Sequence, residues 1–175
     1  TCALPISSAL FKTFIQELQH QDIFAFDTTT MGVDPMQSKI IGISIGFSNG
    51  ICYFLLFEHQ VSVTLDKTIA LKHLKVIFEN PKIKKITQHA KYHWHALKNE
   101  GITLQGLHFD TMIASYILNS SSERHDLESQ AGRELNLRRF DVRYVFGQGR
   151  NVRPMTSVPI DMLAPYASEA VDFIW

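Results

Sequence analysis

The sequence predicts an α/β three-layer domain built on a mixed sheet, and three apolar runs predict it. Ile23 to Phe26 is bounded by charge on both sides and has the length of a buried strand; it delivers Asp27 at its carboxyl end, ahead of a Gly/Asp/Pro turn. Lys39 to Phe47 alternates Gly42, Ser44 and Gly46 with Ile41, Ile43, Ile45 and Phe47, a period of two that marks a strand with one face closely approached. Ile51 to Phe57 follows Ser48-Asn49-Gly50, and Asn-Gly between two apolar runs signals a hairpin.

The remaining elements follow in order. Ser8 or a neighbour caps a first helix carrying Leu10, Phe11, Phe14, Ile15 and Leu18 at helical spacing. Leu65-Asp66 opens a second, with Ile69, Leu71, Leu74, Ile77 and Phe78 as its buried stripe and Asn80-Pro81 as its stop. Lys82 to Thr87 reads as a short fourth strand, returning parallel to the first through a helical crossover. Tyr92 to Asn99 is a helix stopped by Gly101, and Ile102 to Gln105 a short strand or extended link. Asp110 caps a helix whose apolar face is Met112, Ile113, Tyr116 and Ile117, and Asp126 has the same place before Leu127 to Leu135. Gly147, Gly149 and Pro154 mark an irregular loop, expected over a cleft, and the last helix starts near Asp161 or Pro165.

At 175 residues and 45% hydrophobic content, the chain is expected to bury one core as a single domain spanning 1–175. Seventeen basic residues balance seventeen acidic ones, so bulk charge excludes no class of partner. Their distribution is informative: all ten lysines precede position 99 and all seven arginines follow position 123. From Arg133 to Arg153 six arginines face only Glu134 and Asp141, either a solvated loop face or a surface for phosphate. Two cysteines, Cys2 in a terminus expected to be loose and Cys52 in a strand, make a disulfide framework an unsuitable reading and fit a reducing compartment. No apolar run approaches the roughly 20 residues of a membrane span. A chain running from Thr1 to a helical Trp175 is expected to be a segment of a longer polypeptide.

Two further stretches carry chemistry. Gln88-His89-Ala90-Lys91-Tyr92-His93 sits where a strand meets a helix, and Tyr166 and Ala170 share a helix face. With Phe26-Asp27-Thr28, Ile41-Gly42-Ile43-Ser44, Lys91-Tyr92, Phe109-Asp110-Thr111-Met112, Ser115 to Ser120, Arg124-His125-Asp126 and Tyr166-Ala167, the chain resembles the 3′-5′ exonuclease (proofreading) domain of DNA polymerase I over nearly its whole length. The resemblance implies a ribonuclease-H-like exonuclease fold, a mixed central sheet flanked by helices. It also implies two divalent ions about 4 Å apart at the scissile phosphate, held by carboxylates because magnesium prefers oxygen anions.

In that family the motifs are Asp-x-Glu, a second ending in Tyr-Asp or Phe-Asp, and Tyr-x-x-x-Asp. They fall here on Asp27, Thr29, His93, Tyr166 and Ala170, so only Asp27 and Tyr166 survive as remnants. Thr29 is neutral, Ala170 offers no donor, and His93 is a nitrogen ligand suited to zinc or nickel more than magnesium. No metal and no cofactor are therefore expected in this domain, with Mg2+ belonging to the parent polymerase. The histidines His89, His93 and His95 lack the cysteine or acid of a tetrahedral set. Family contacts to nucleic acid fall on Val33, Gln88, His89, Tyr92, Arg124 and Val142; Val33 and Val142 keep apolar surface but lose stacking area. The implied partners are the polymerase region of the same parent chain and weakly held single-stranded or primer-end DNA, with no membrane, in the bacterial cytoplasm or an equivalent reducing, DNA-containing compartment. Two rivals remain: a divergent exonuclease using Asp27 and His93 with a transition ion, and a free-standing nucleic-acid-binding module.

Overall fold

Two glycines on one strand set the closeness of its neighbours. In the computed structural model, which describes residues 2–4, 7–32, 34, 36–47 and 50–175, β1 (Cys2–Ala3), α1 (Ser8–Gln19), β2 (Ile23–Met31), β3 (Lys39–Phe47) and β4 (Ile51–Leu56) come first. They are followed by α2 (Lys67–Phe78), β5 (Lys84–Thr87), α3 (Ala90–Asn99), β6 (Leu107–Asp110) and α4 (Thr111–Leu118). The chain closes with α5 (Leu127–Gln130), a π turn (Ala131–Leu135), α6 (Val142–Phe146) and α7 (Ile160–Ile174). The six strands lie in the order β1-β4-β3-β2-β5-β6. Pairing is antiparallel for β2/β3 and β3/β4 and parallel for β1/β4, β2/β5 and β5/β6, the expected mixed sheet. A Cβ on Gly42 would lie 2.6 Å from the Phe54 ring, and one on Gly46 would lie 3.4 Å from Val171 of α7. Small side chains at these positions let Phe54 and α7 settle onto the sheet.

The opposite face is covered by α1, α2 and α3, whose Phe14, Leu18, Leu74, Ile77, Phe78 and Leu97 share one buried cluster with Phe24, Phe26, Ile43 and Ile45. Phe24, Phe26 and Phe78 meet edge to face at 5.0–6.4 Å, a favourable aromatic geometry. Trp94 packs partly against this cluster.

Several expectations are corrected. β2 runs on to Met31, because the β-branched Thr28, Thr29 and Thr30 keep pairing with β3 past a register shift between Thr29 and Thr30. Asp27 therefore lies within the strand and not at its carboxyl end. Cys2 is not in a loose terminus: it pairs with Cys52 in the β1/β4 register and its Sγ accepts from the Ser168 hydroxyl. Of the two forms expected for Ile102 to Gln105 the extended link is the one present, with Ile102 and Leu104 in the core; after Gly106, at φ +68°, comes a strand outside those expected, Leu107–Asp110. Among the described side chains of α4 only Ser115 is buried, while Ile113, Tyr116 and Ile117 are exposed, since β6 is the sheet's outer strand and offers α4 no full layer to pack on. The 140s contain a short helix, α6, that the glycines masked. The Ser48-Asn49 part of the hairpin turn lies outside the described residues, though the β3/β4 pair that it joins is in place.

One charged group is wholly enclosed. Lys85 of β5 is 0% exposed, its Nζ donates to the Asn80 carbonyl at 2.7 Å beyond the end of α2, and burial lowers its pKa to about 8. The folded protein thus sheds a proton that the unfolded chain keeps, so the penalty is complete below pH 8 and fades as pH rises toward 10.5. Lys85→Met is expected to raise the melting temperature at pH 7 by about 2–4 °C, a gain that thermal melts should show vanishing by about pH 10.

Candidate active site

β2 presents two rows of side chains. Ala25, Asp27 and Thr29 lie opposite Gly46, Ser44 and Gly42 of β3, on the face covered by α7. The cleft at this place is about 400 Å3, room for a nucleotide-sized group. Asp27, Thr29, His93, Tyr166 and Ala170 all line it, together with Thr28, Thr30, Gln88, His89 and Tyr92. The positions brought from three separate stretches of sequence therefore converge.

His93 is locked from both sides by groups whose roles are fixed. The Thr28 backbone N–H, which can only donate, meets Nδ1 at 3.3 Å, and Thr28 Oγ1 lies 2.7 Å from the same nitrogen. The Gln88 carbonyl, which can only accept, is 2.9 Å from Nε2, and Asp27 Oδ1 is 3.3 Å away. The ring is therefore the Nε2–H tautomer, with no lone pair free. Burial lowers its pKa against the opposing pull of Asp27. Burial also raises the pKa of Asp27, opposed by His93 and Arg139, and raises that of Tyr166, opposed by Arg139.

The donor set does not fit two hard cations. Asp27 is the one carboxylate at the four family positions, His93 has no free nitrogen, and Thr29 and Ala170 bring no charge. Among the described residues no three His, Cys, Asp or Glu side chains gather as a metal-binding group. His89, His93 and His95 accordingly do not form one. Nearby acids are committed elsewhere. Glu169 pairs with Arg139 at 3.1 Å, while Asp126 caps α5 through the Ser129 N–H and pairs with Arg124 at 2.9 Å. Asp110 accepts from the backbone N–H groups of His89, Ala90, Met112 and Ile113, so it fastens the starts of both α3 and α4.

The residues matched to nucleic-acid contacts separate. His89, at φ +62° and exposed, and Tyr92, whose hydroxyl bonds to Thr30 Oγ1, stand in the cleft wall. Gln88 also lines it but is buried, its amide donating to the His125 carbonyl and accepting from Thr111 and Gln130; these internal bonds compete with any contact to a ligand. Arg124 and Val142 are exposed outside the cleft lining, and Val33 lies outside the described residues. Residues from the loop expected over the cleft are not its lid: Arg139 before it and Met155 after it supply the contacts. Arg139 carried no motif, and only its place in the arginine-rich run pointed to it.

Sheet order, flanking helices and cleft together define a ribonuclease-H-like exonuclease fold. The catalytic core of RRP6 from Trypanosoma brucei matches with a TM-score of 0.72 at 17% identity, over 99% of this chain and 44% of that one. Brucella melitensis NrnC matches at 0.64 and 16%, over 89% and 69%. A family model described as 3′-5′ exonuclease matches residues 5–175, and the chain belongs to that exonuclease family of DNA polymerase I. DNA polymerase I of Pseudomonas aeruginosa is 32% identical over 172 residues, 95% of this chain and 19% of that protein. DNA polymerase I of Chloroflexus aurantiacus is 30% identical over 156 residues, 88% and 16%. The chain thus spans less than a fifth of the length of these relatives.

A carboxyl with a raised folded pKa costs stability once ionised; the cost is absent below its ordinary pKa of 3.8 and complete above the folded value. Asp27→Asn, which keeps an acceptor for His93, is expected to melt about 2–4 °C higher than the unmodified chain at pH 7.5. Melts from pH 4 to 8 should show the gain shrinking toward the acid end.

Proposed function

We propose that the chain is a degenerate proofreading unit: residues 1–175 form one domain of a longer DNA polymerase I that serves replication and repair, and the unit has lost its own 3′-5′ hydrolysis. The observation that carries this reading is the cleft's donor set: Asp27 beside an imidazole with both nitrogens engaged, the other lining acid, Asp126, being committed to Arg124 and to the α5 cap. Two-ion hydrolysis needs one cation to activate water and another to stabilise the leaving 3′ oxygen. A single carboxylate neither offsets the repulsion between two dications nor replaces their water. The rival that uses a transition ion on Asp27 and His93 must first break the Thr28 or Gln88 bond to His93.

The unit's role is then packing and orientation beside the polymerase region, and the exposed apolar face of Leu107, Phe109, Ile113 and Ile117 is the surface this reading gives to that contact. No helix among the described residues is long and apolar enough to cross a membrane. Asp27 and Tyr166 are remnants of the catalytic set, and no cofactor is required. His89 and Tyr92 are the contacts nearest a strand end, with Gln88, Arg124, Val142 and Val33 as weaker ones. DNA binding is weak and its electrostatics lie mainly on Arg138, Arg150 and Arg153, because Arg124, Arg133 and Arg143 are each paired with an acid and Arg139 is turned into the cleft, largely shielded from solvent.

Digestion of a 3′-labelled single strand with magnesium or manganese is expected to show no trimming; trimming abolished by Asp27→Ala would overturn the reading. Calorimetry should likewise find no two-site binding tighter than about 10 micromolar for either ion. In fluorescence anisotropy, single-strand affinity is expected to fall about tenfold between 50 and 200 mM salt. Replacing Arg138, Arg150 and Arg153 by Gln should flatten that dependence more than Arg124→Ala does.

A further inference from the structure

Among the described residues lining the cleft, one side chain carries a permanent positive charge, Arg139. It reaches the cleft from the link between the π turn and α6, and it matches none of the family landmarks. Its guanidinium is held on three sides. Nε donates to Glu169 Oε2 at 3.1 Å, a terminal nitrogen donates to the Tyr166 carbonyl at 3.4 Å, and the guanidinium carbon stands 5.0 Å from the Tyr166 ring centre. Glu169 is itself fixed, accepting the Phe140 N–H at 3.1 Å on each oxygen. With Arg139 17% exposed and Glu169 12%, this pair is largely shielded from solvent. Arg139 therefore touches Tyr166 and Glu169, the residue that precedes Ala170.

We propose that Arg139 is the built-in replacement for the cation the cleft no longer takes: a tethered guanidinium that makes a solitary Asp27 carboxylate tolerable and, by like charge, keeps a divalent ion from settling there. An arginine needs no ligand shell, remains charged at any pH at which the protein folds, and brings donors on a rigid fork. A metal ion on four carboxylates and a tethered arginine sharing a cleft with one are alternative ways of neutralising the same floor. The second also explains why Glu169 is turned toward Arg139 rather than into the cleft. The electrostatics agree, since Arg139 opposes the upward push of burial on both Asp27 and Tyr166.

This inference rests on the reading that the cleft holds no cation pair, yet it fails separately: trimming activity would sink that reading, whereas the comparison below addresses Arg139 alone. Thermal melts at pH 7.5 of the unmodified chain, Arg139→Gln, Asp27→Asn and the double variant form a cycle. Arg139→Gln is expected to lower the melting temperature, and by less than half as much when Asp27 is already Asn. Equal losses in the two backgrounds would mean that Arg139 serves only Glu169, and would overturn the proposal. Should the Gln variant fail to fold, Arg139→Lys decides: it is expected to fold and to retain most of the stability, and a Lys variant that also fails to fold overturns the charge argument. In a chain carrying Thr29→Glu and Ala170→Asp, magnesium affinity by calorimetry is expected to rise at least tenfold when Arg139 becomes Gln; unchanged affinity would likewise overturn the exclusion.

Discussion

The double hydrogen bond of His93 is the constraint on which the cleft depends. It joins β2 through the Thr28 backbone, the end of β5 through the Gln88 carbonyl, and α3 through the residue itself. An aspartate side chain has no donor for a carbonyl at neutral pH, so the Gln88 bond exists only because an imidazole stands there. With Nδ1 accepting from Thr28 and Nε2 donating to Gln88, the ring beside Asp27 is committed to the fold on both nitrogens. The floor of the cleft is closed at this point by hydrogen bonds.

Asp110 does comparable work at the other wall. Four backbone N–H groups converge on it, two at the start of α3 and two at the start of α4. Helix starts leave such donors unsatisfied, and a carboxylate is also favoured by the helix dipole at that end. Its position at the end of β6 makes a short outer strand the fastening point for two helices. This explains why the wall that carries His89 and Tyr92 is well defined although the neighbouring α4 is largely exposed.

Much of this was legible in the sequence. The β3 alternation foretold a face that another element approaches closely, and Gly42 and Gly46 are where Phe54 and Val171 press in. The Asp110 and Asp126 caps were readable because a short acid before an apolar helical run has one local use. The five motif positions were legible only through resemblance, and the structure brings all five to one cleft. What escaped was non-local. The strand beyond Asp27 depends on pairing with β3, so a polar threonine run reads as a turn until its partner is known. The outer strand is displaced because Gln105 bonds back to Phe78 before Gly106 turns the chain. The place of Arg139 follows from Glu169, thirty residues away, and no local pattern encodes that.

The way His93 is held bears on how this cleft would take an added acid. Changing His93 alone to aspartate cuts the tie to the Gln88 carbonyl, which needs a donor, and sets a second carboxylate beside Asp27. Changing Thr29 alone to glutamate crowds a charge into a buried position. Changing Ala170 alone to aspartate places one against Ala25, Cys52 and Val171. Each step taken singly lowers stability before any ion is gained, because one or two added acids do not yet make a cation site. The hydrogen bonds of one histidine therefore make the present floor self-supporting, so that no single acid brought into it is a downhill step.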